Sequence, residues 1–462
     1  MQIDNVVFYS YVRVEDFLLN KIYYMTKTDI LKKVRAENVT IIGFWFTDIL
    51  GQLKGITCPV QRLAQYLDEG IFFDGSSIDG YARIEESDLI LKPVLESFAI
   101  IPLDADSHKI ARFMCLVDNA KNEPYHSDPR NILAQNVTYA KKLGFTYFVG
   151  PELEYYYFKN DKSTALLDNG GYFDQLTTHQ GTFLRERSVE ALEKLGYTVE
   201  RGHHEVGPSQ QEINMKYADS LTMGDIVMTQ KFIIKEIARQ NDLYATFMPK
   251  PMFGQAGSAM HIHQSLWKNG KNSFYDAKDK YGLSTIAKSF IAGIIKHVNE
   301  IALVTNQYVN SYKRLVPGYE APVYLAWGRQ NRSALVRVPL TRGNPSAARI
   351  EFRCPDPAAN PYLAFAVALR AGLKGIAENY QLQPPTENNI YEMQPSEMKK
   401  RGIKAVPATL GEAIHYAETS ELLRETLGQE TFTKLIANKK IEWHNYRRQV
   451  HQYEVDNYLP IL

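Results

Sequence analysis

The segment that most constrains the fold of this chain is an aromatic stretch at residues 150–158 (GPELEYYYF). Its aromatic run predicts a buried β-strand, yet it carries Glu152 and Glu154 two positions apart. Successive residues of a strand point to opposite faces, so both carboxylates share one face. Like charges at this spacing repel each other unless a cation or protons lie between them. A solvated strand face is the alternative, but the aromatic neighbours favour a strand that lines a cation site.

A second pair of carboxylates flanks a turn. Residues 203–212 (HHEVGPSQQE) hold Glu205 and Glu212 on either side of Gly-Pro-Ser. Such a turn predicts a hairpin that folds the two carboxylates towards each other on paired strands. Taken alone, a surface hairpin explains this segment at least as well.

Two more segments place ionisable side chains on one strand face. Residues 260–263 (MHIH) align His261 with His263, which indicates metal ligands or a packed, hydrogen-bonded imidazole. Residues 349–353 (RIEFR) place Glu351 between two arginines. A carboxylate between arginines suits a site for an anion and a metal, and a charged edge strand is the alternative.

Together these candidates are five carboxylates with few imidazoles. Oxygen-rich ligation favours Mg²⁺ or Mn²⁺ over zinc or copper. Arginine forks bind phosphate or carboxylate, and several arginines lie in the same part of the sequence: Arg314, Arg332, Arg337, Arg349 and Arg353. No GxxxxGK[ST] or GxGxxG loop is present. The residues alone therefore predict a metal-dependent enzyme that handles phosphate by phosphoryl transfer.

Composition limits the partners and the compartment. The 462 residues include 53 Lys and Arg against 52 Asp and Glu, a formal charge of +1, whereas nucleic-acid or anionic-membrane binding needs a basic excess. The three cysteines lie far apart without a CxxC pair, which predicts a reducing, cytoplasmic setting. No apolar run reaches about 18 residues and no typical secretory signal is present, so neither membrane nor nucleic acid is an expected partner.

The order of the patterns predicts an α+β chain of two domains. Short apolar runs between turns indicate a β-rich N-terminal domain at 25–122, preceded by an extension at 1–24 that the fold does not require. Asp128 followed by Pro129 predicts a helix start. Strand and helix patterns then alternate, which predicts a larger mixed domain at 123–462.

These segments closely resemble glutamine synthetase of bacterial class I, in the shorter subtype that is not adenylylated. The likeness runs in order from about Asp29 to the C-terminus. It rests on the segments above and on blocks at 46–48, 73–77, 245–251, 310–322, 331–333 and 356–363. The resemblance implies a β-grasp-like N-terminal domain, a larger α/β catalytic domain, and a dodecamer of two hexameric rings with active sites between neighbouring subunits.

The same resemblance implies roles for individual residues. The six metal ligands would be Glu154, Glu205 and Glu212 for one ion, and Glu152, His261 and Glu351 for a second. ATP would contact His263, Ser265, Arg337 and Arg349, and glutamate would contact Gly257, Arg314 and Arg353. The implied catalytic residues are Asp48, Glu320 and Arg332, with Asp48 supplied by the neighbouring chain. Locally, Asp48 also fits a plain Asp-x-x-Gly turn.

The implied activity is ATP-dependent formation of glutamine from glutamate and ammonia through γ-glutamyl phosphate, with two or more Mg²⁺ or Mn²⁺ ions in each subunit. The chain departs from the family where Ala256 and Ala259 replace an Asn and a Gly, which affects a glutamate contact and the backbone freedom of the loop. A γ-glutamyl-amine ligase therefore stays open as an alternative. A non-catalytic homologue that binds a nitrogen-regulatory transcription factor is a third interpretation, and the complete set of candidate ligands argues against it.

Overall fold

A computed structural model describes residues 25–76, 78, 88–103, 109–175, 179–319, 321–329, 331, 333–388 and 390–462. The predicted extension at 1–24 and the site candidates Glu320 and Arg332 lie outside these residues. None of the helices in the described ranges combines the length and the apolar character that crossing a lipid bilayer requires.

In the described residues, the N-terminal domain is a mixed sheet with two α-helices. Its strands are β1 Val39–Thr47, β2 Leu53–Pro59, β3 Ile71–Asp74, β4 Asp88–Pro93, β5 Ala99–Ile100 and β6 Lys109–Asn119, and its helices are α1 Lys27–Ala36 and α2 Leu63–Glu69. The strand order is β2-β1-β6-β4-β3, with β5 also on β6. The two central strands, β1 and β6, run parallel. This arrangement agrees with the predicted β-grasp-like domain.

The connection between the two domains is held by Asp128. Its side chain accepts hydrogen bonds from the backbone of Arg130 (3.0 Å) and from Val117 of β6 (3.1 Å). It thereby caps helix α3 Pro129–Lys142, which starts at the predicted Pro129. The proposed boundary between residues 122 and 123 falls in this connection and stays a prediction.

The larger domain is built around one eleven-stranded sheet in the order β15-β16-β17-β13-β7-β10-β9. Its strands are β7 Thr146–Asn160, β8 Ser163–Leu166, β9 Val199–His204, β10 Gln210–Met215, β11 Ala218–Asp219, β12 Tyr244–Thr246, β13 Met260–Lys268, β14 Lys271–Asn272, β15 Tyr324–Gly328, β16 Ala334–Arg337 and β17 Ile350–Phe352. The aromatic segment of the sequence forms the long strand β7, which pairs with β8, β10, β11, β12 and β13.

Helices cover one face of this sheet. The helices after α3 are α4 Gln180–Lys194, α5 Ser220–Gln240, α6 Thr285–Thr305, α7 Val309–Arg314, α8 Pro361–Ala377, α9 Pro395–Lys400, α10 Leu410–Glu418, α11 Glu421–Leu427, α12 Gln429–Tyr446 and α13 Gln452–Tyr458. Among the helices of this domain, α3, α4, α5 and α6 pack directly against strands of the sheet. Leu153 and Tyr155 of β7 belong to the same buried core as the apolar residues of α5, α6 and α8. Because side chains alternate along a strand, Glu152 and Glu154 point to the other face.

The two domains touch through the turn after β1. Asn360, at the start of α8, donates a hydrogen bond from its amide to the backbone oxygen of Asp48 (3.0 Å). Gly51 has a φ of +76°, and a Cβ there would lie 2.8 Å from the Cα of Asn360. A side chain at residue 51 would therefore collide with the larger domain as well as strain the turn.

Candidate active site

Strand register brings the candidate ligands into rows across β10, β7, β13 and β17. Glu212 lies opposite Glu154, and Glu152 lies opposite His261. His263 lies opposite Glu351 on the next strand. Directly opposed residues share a face, so the carboxylates and imidazoles from four strands line the sheet face that the helices leave free.

The first ligand group consists of Glu152, His261 and Glu351, each of which offers a ligand atom within 4.8 Å of the others. His261 Nδ1 lies 3.3 Å from Glu152 Oε2 and 3.7 Å from Glu351 Oε1. Burial alone would raise the pKa of Glu152, but His263 and His261 outweigh it and hold that pKa well below its usual range. Burial and Arg353 lower the pKa of His261, so the imidazole is neutral, the form that binds a metal.

Glu351 is fully buried between two arginines. Arg353 Nη1 donates to Glu351 Oε1 (2.7 Å), and Arg337 Nε donates to Oε2. Burial opposes ionisation, yet Arg353 and the nearby histidines outweigh it and lower the pKa of Glu351 to about 2. This carboxylate is therefore ionised at any physiological pH.

The second group consists of His203, Glu205 and Glu212, whose ligand atoms also lie within 4.8 Å of one another. His203 Nε2 is 3.1 Å from Glu212 Oε1, and its Nδ1 is 3.6 Å from Glu205 Oε1. Burial and the neighbouring Glu212 raise the pKa of Glu205 to about 7. His203 was not among the predicted ligands, although it belongs to the same segment, residues 203–212, as the predicted ligands Glu205 and Glu212.

Glu154 lies beside this second group. Burial, then Glu205 and Glu212, raise its pKa well above the usual value. One of its oxygens, Oε2, accepts hydrogen bonds from the Ala259 backbone (2.8 Å) and from Gln210 Nε2 (3.2 Å). Three carboxylates lie close together here, and the pKa values of Glu154 and Glu205 are raised, an arrangement that a divalent cation would stabilise. Together with the first group, the oxygen-rich donor set fits Mg²⁺ or Mn²⁺.

The predicted ATP contacts lie next to the first group. His263 Nε2 is 3.0 Å from Glu152 Oε1, and Arg349 Nε donates to His263 Nδ1 (3.2 Å). Ser265 follows on the same face of β13, where its hydroxyl accepts from Trp267 Nε1 (3.0 Å). Burial and the nearby Arg337 lower the pKa of Arg349, the signature of cations held close together, which an anion would relieve.

The predicted glutamate contacts surround the loop before β13. Gly257 lies so close to Arg314 and to the backbone oxygen of Pro249 that a Cβ would meet them at 2.7 and 2.8 Å. Arg314 donates to the backbone oxygens of Cys354 (2.7 Å) and Arg353 (3.0 Å) and is almost fully buried. The structure therefore gives Arg314 a role in holding the end of β17, and its contact with substrate stays a prediction.

The two alanines that replace the usual residues of this loop are accommodated. Ala259 is absent from the described residues with positive φ, so the backbone there does not require glycine. Ala256 accepts a hydrogen bond on its backbone oxygen from the Tyr156 hydroxyl (2.7 Å). The expected strain at Ala259 does not occur, whereas the amide that an Asn would supply at position 256 is absent.

Asp48 shows the local turn that its sequence predicts. Its Oδ1 accepts from the backbones of Leu50 (3.0 Å) and Gln52 (2.8 Å), and its Oδ2 lies 3.6 Å from Lys54 Nζ. Burial raises the pKa of Asp48 despite these contacts. The turn therefore occupies one carboxylate oxygen, and only the other remains for an ammonium ion.

Four residues on the site face escaped the sequence analysis: Arg201, His203, Gln210 and Asn214. Gln210 Nε2 bonds to Glu154 and also to the backbone oxygen of Gly257 (3.1 Å), so it fixes the loop against β7. The same two-residue alternation that selects Glu212 also selects Gln210 and Asn214 once β10 is recognised as a strand.

A stability test follows from the crowded carboxylates. Because the folded-state pKa of Glu205 is raised, its charge destabilises the fold above about pH 7 and not below its ordinary pKa of about 4.3. Without metal, Glu205→Gln should raise the thermal midpoint by about 2 °C near pH 8, with little effect near pH 4.5. With Mn²⁺ the parent should have the higher thermal midpoint, because the bound ion stabilises the parent and the variant lacks one of its ligands.

Thermal unfolding in chelator and in Mn²⁺ measures both effects, with the exposed Glu190→Gln of α4 as the control. A parent protein that Mn²⁺ does not stabilise at all would contradict a metal role for Glu205.

The fold and the site define a two-domain enzyme whose larger sheet carries a carboxylate and histidine centre suited to divalent cations. Family models match both parts: the glutamine synthetase β-grasp domain at residues 38–120 and the glutamine synthetase catalytic domain at residues 126–458. The chain belongs to the glutamine synthetase family.

Individual relatives extend this result over nearly the whole chain. A glutamine synthetase of Clostridium saccharobutylicum is 47% identical over 94% of this chain and 98% of its own length. One from Methanosarcina mazei is 45% identical over 95% and 98%. Among solved structures, a GmaS/ADP complex (TM-score 0.85, 28% identity) covers 94% of this chain and 100% of its own. Plasmodium falciparum glutamine synthetase (TM-score 0.84, 27% identity) covers 94% and 99%.

Proposed function

We propose that the active site lies on the sheet face formed by β7, β10, β13 and β17. There the enzyme uses ATP to join ammonia to glutamate through γ-glutamyl phosphate. Family membership and relatives named glutamine synthetase over 94–95% of the chain make it an ATP-dependent glutamate–ammonia ligase. The observation that carries the assignment of the site is the register that aligns Glu212 with Glu154, and Glu152 with His261, on one face.

The metal ligands would be Glu152, His261 and Glu351 for one ion, and Glu154, Glu205 and Glu212 for another, with His203 as a further donor to the second. When bound, Mg²⁺ or Mn²⁺ neutralises phosphate charge and polarises the γ-phosphorus. Glu351 keeps Arg337 and Arg353 in place, so the arginines are oriented before the nucleotide arrives.

In the first step the γ-carboxylate of glutamate attacks the γ-phosphorus in line. An oxygen–phosphorus bond forms and the bond to the bridging oxygen of ADP breaks. Arg337 and Arg349 would hold the polyphosphate, and Arg353 and Arg332 would stabilise the transferring phosphoryl group, because guanidinium forks bind phosphate oxygens bidentately. Gly257 and Arg314 would contact the bound glutamate.

In the second step ammonia attacks the acyl carbon of γ-glutamyl phosphate, and inorganic phosphate leaves. Asp48 and Glu320 would bind ammonium because carboxylates attract the cation, and one of them would take up the proton that releases ammonia. The second proton, which nitrogen loses as the amide forms, would leave with the phosphate. Water must be excluded during this step, since it would hydrolyse the acyl phosphate. We propose, in line with the family resemblance, that Asp48 comes from a neighbouring subunit of a dodecamer. A cytoplasmic location and a nitrogen-regulatory transcription factor as partner also stay proposals.

The assay that tests the function is ATP-dependent phosphate release with glutamate plus ammonium, and with hydroxylamine, ethanolamine or polyamines as alternative acceptors. We expect ammonium to support turnover with the highest kcat/KM and glutamine to accumulate in proportion to the phosphate. Turnover with an organic amine alone would overturn the assignment in favour of a γ-glutamyl-amine ligase. No turnover with any acceptor would favour a non-catalytic homologue.

A further inference from the structure

An arginine on strand β9 reaches into the active site without a role in the mechanism above. Arg201 Nη2 lies 3.0 Å from Glu152 Oε1, and its side chain is 60% exposed. The same Glu152 oxygen lies 3.0 Å from His263 Nε2. Arg201 therefore stands beside the predicted ATP contact His263, on the one carboxylate that they share.

The strand register explains how Arg201 of β9 reaches Glu152 of β7. Arg201 of β9 lies opposite Asn214 of β10, and Asn214 lies opposite Glu152 of β7. Adjacent strands are about 4.8 Å apart, so the side chain of Arg201 must extend over β10 at the level of Asn214 to reach Glu152. Because most of the Arg201 side chain is exposed, exchanging its ion pair with Glu152 for another partner costs little free energy.

The residue beneath this arm is an unsatisfied amide. Asn214 is only 3% exposed, and among the described residues neither its Nδ2 nor its Oδ1 has a hydrogen-bond partner. A buried amide without partners costs free energy, so a ligand that supplied its hydrogen bonds would be favoured there. Asn214 thus offers one hydrogen-bond donor and one acceptor on the site face, beneath the side chain of Arg201.

The charge around Glu152 indicates the chemistry of that ligand. Arg201, His263 and Arg349 form a continuous run of contacts, since Arg349 Nε bonds to His263 Nδ1 (3.2 Å). Arg337 follows on the far side of Glu351. Three guanidiniums and an imidazole around one row of carboxylates suit an extended anion bound together with divalent cations.

We propose that Arg201 and Asn214 bind the polyphosphate of the nucleotide. Arg201 exchanges Glu152 for a phosphate oxygen when the nucleotide enters, which frees the Glu152 oxygen and uncovers the amide of Asn214 for the same ligand. The inference deepens the proposed function and rests on it, because it assigns two more residues to the nucleotide site.

The test measures binding to the full-length protein with Mg²⁺ by calorimetry, using ATP, tripolyphosphate and adenosine as probes. Arg201→Ala should weaken ATP and tripolyphosphate about tenfold and leave adenosine unchanged. Arg201→Lys should recover part of the loss, and Asn214→Ala should weaken both anions about threefold. Arg239→Ala, which removes an exposed arginine paired with Glu236, is the matched control.

Steady-state kinetics separate binding from a structural role. We expect the KM for ATP to rise in Arg201→Ala while kcat and the KM for glutamate change by less than about twofold. Unchanged affinity for ATP and tripolyphosphate, equal weakening of adenosine, or a change only in the Mg²⁺ requirement would each overturn the proposal, as would a parent protein that binds neither anion. A parent that binds ATP but makes no glutamine would refute the proposed function alone, because the binding comparison still decides the role of Arg201.

Discussion

Glu351→Gln should lower glutamine formation by about three orders of magnitude. The substitution keeps the shape of the side chain and removes one negative charge from the centre of the first ligand group. Arg353, Arg337 and His261 all face this carboxylate, so the substitution removes a ligand and the negative charge that both guanidiniums contact. Phosphate release with glutamate, ammonium and ATP measures the rate, and a titration with Mn²⁺ should show a greatly raised metal requirement.

Folding has to be separated from catalysis in this variant, because breaking a buried ion pair costs about 3–5 kcal/mol. Glu351→Asp keeps the charge and moves it back by one methylene. We expect its free energy of unfolding to lie within about 2 kcal/mol of that of the parent, and its turnover to be reduced. The half-buried Glu418→Gln, which loses an ion pair with Lys440 away from the ligand groups, should behave like the parent. A Glu351→Gln protein with full activity at ordinary metal concentrations would remove Glu351 from the metal site.

Local periodicity indicated one half of this site, although a surface hairpin explained the segment of Glu205 and Glu212 at least as well. Glu152 and Glu154 share a face because strand β7 alternates, and Glu205 and Glu212 meet because Gly-Pro-Ser closes the β9–β10 hairpin. Both inferences use residues close together in sequence. The structure confirms that these carboxylates lie together on one sheet face.

Long-range strand order could not be obtained from local patterns. Nothing near Glu351 in sequence indicates that β17 pairs with β13 and so brings that carboxylate to His261. The family resemblance supplied this neighbour.

Residues that lack charge were missed for a different reason. Gln210 and Asn214 lie on the site face by the same alternation as Glu212. An uncharged amide does not by itself indicate a site, so its role is evident only once its neighbours in the fold are known. Their roles depend on Glu154, Gly257 and Arg201, which approach from other strands and loops. Once a strand and its buried face are assigned, an amide on that face beside a row of carboxylates indicates a further residue of the site.

Asp48→Asn should reduce glutamine formation about a hundredfold while preserving the turn, because the amide oxygen can still accept from the Leu50 and Gln52 backbones. If active sites lie between subunits, Asp48 and Glu351 of one chain serve different sites. Chains that carry only Asp48→Asn and chains that carry only Glu351→Gln should then complement each other. In an equal, random mixture about one quarter of the sites receive both intact residues, so about a quarter of the parent activity should return.

The mixture is made by co-expression with two different tags and purified over both, so that every assembly contains both variants. A mixture of Glu351→Gln with Glu212→Gln is the matched control, because these residues share one sheet face and no mixed site can contain both intact. Recovery in the first mixture and none in the second would place Asp48 in the neighbour's site. Failure of both mixtures would mean that Asp48 acts within its own chain, where the 3.0 Å bond from Asn360 already fixes its backbone against the larger domain.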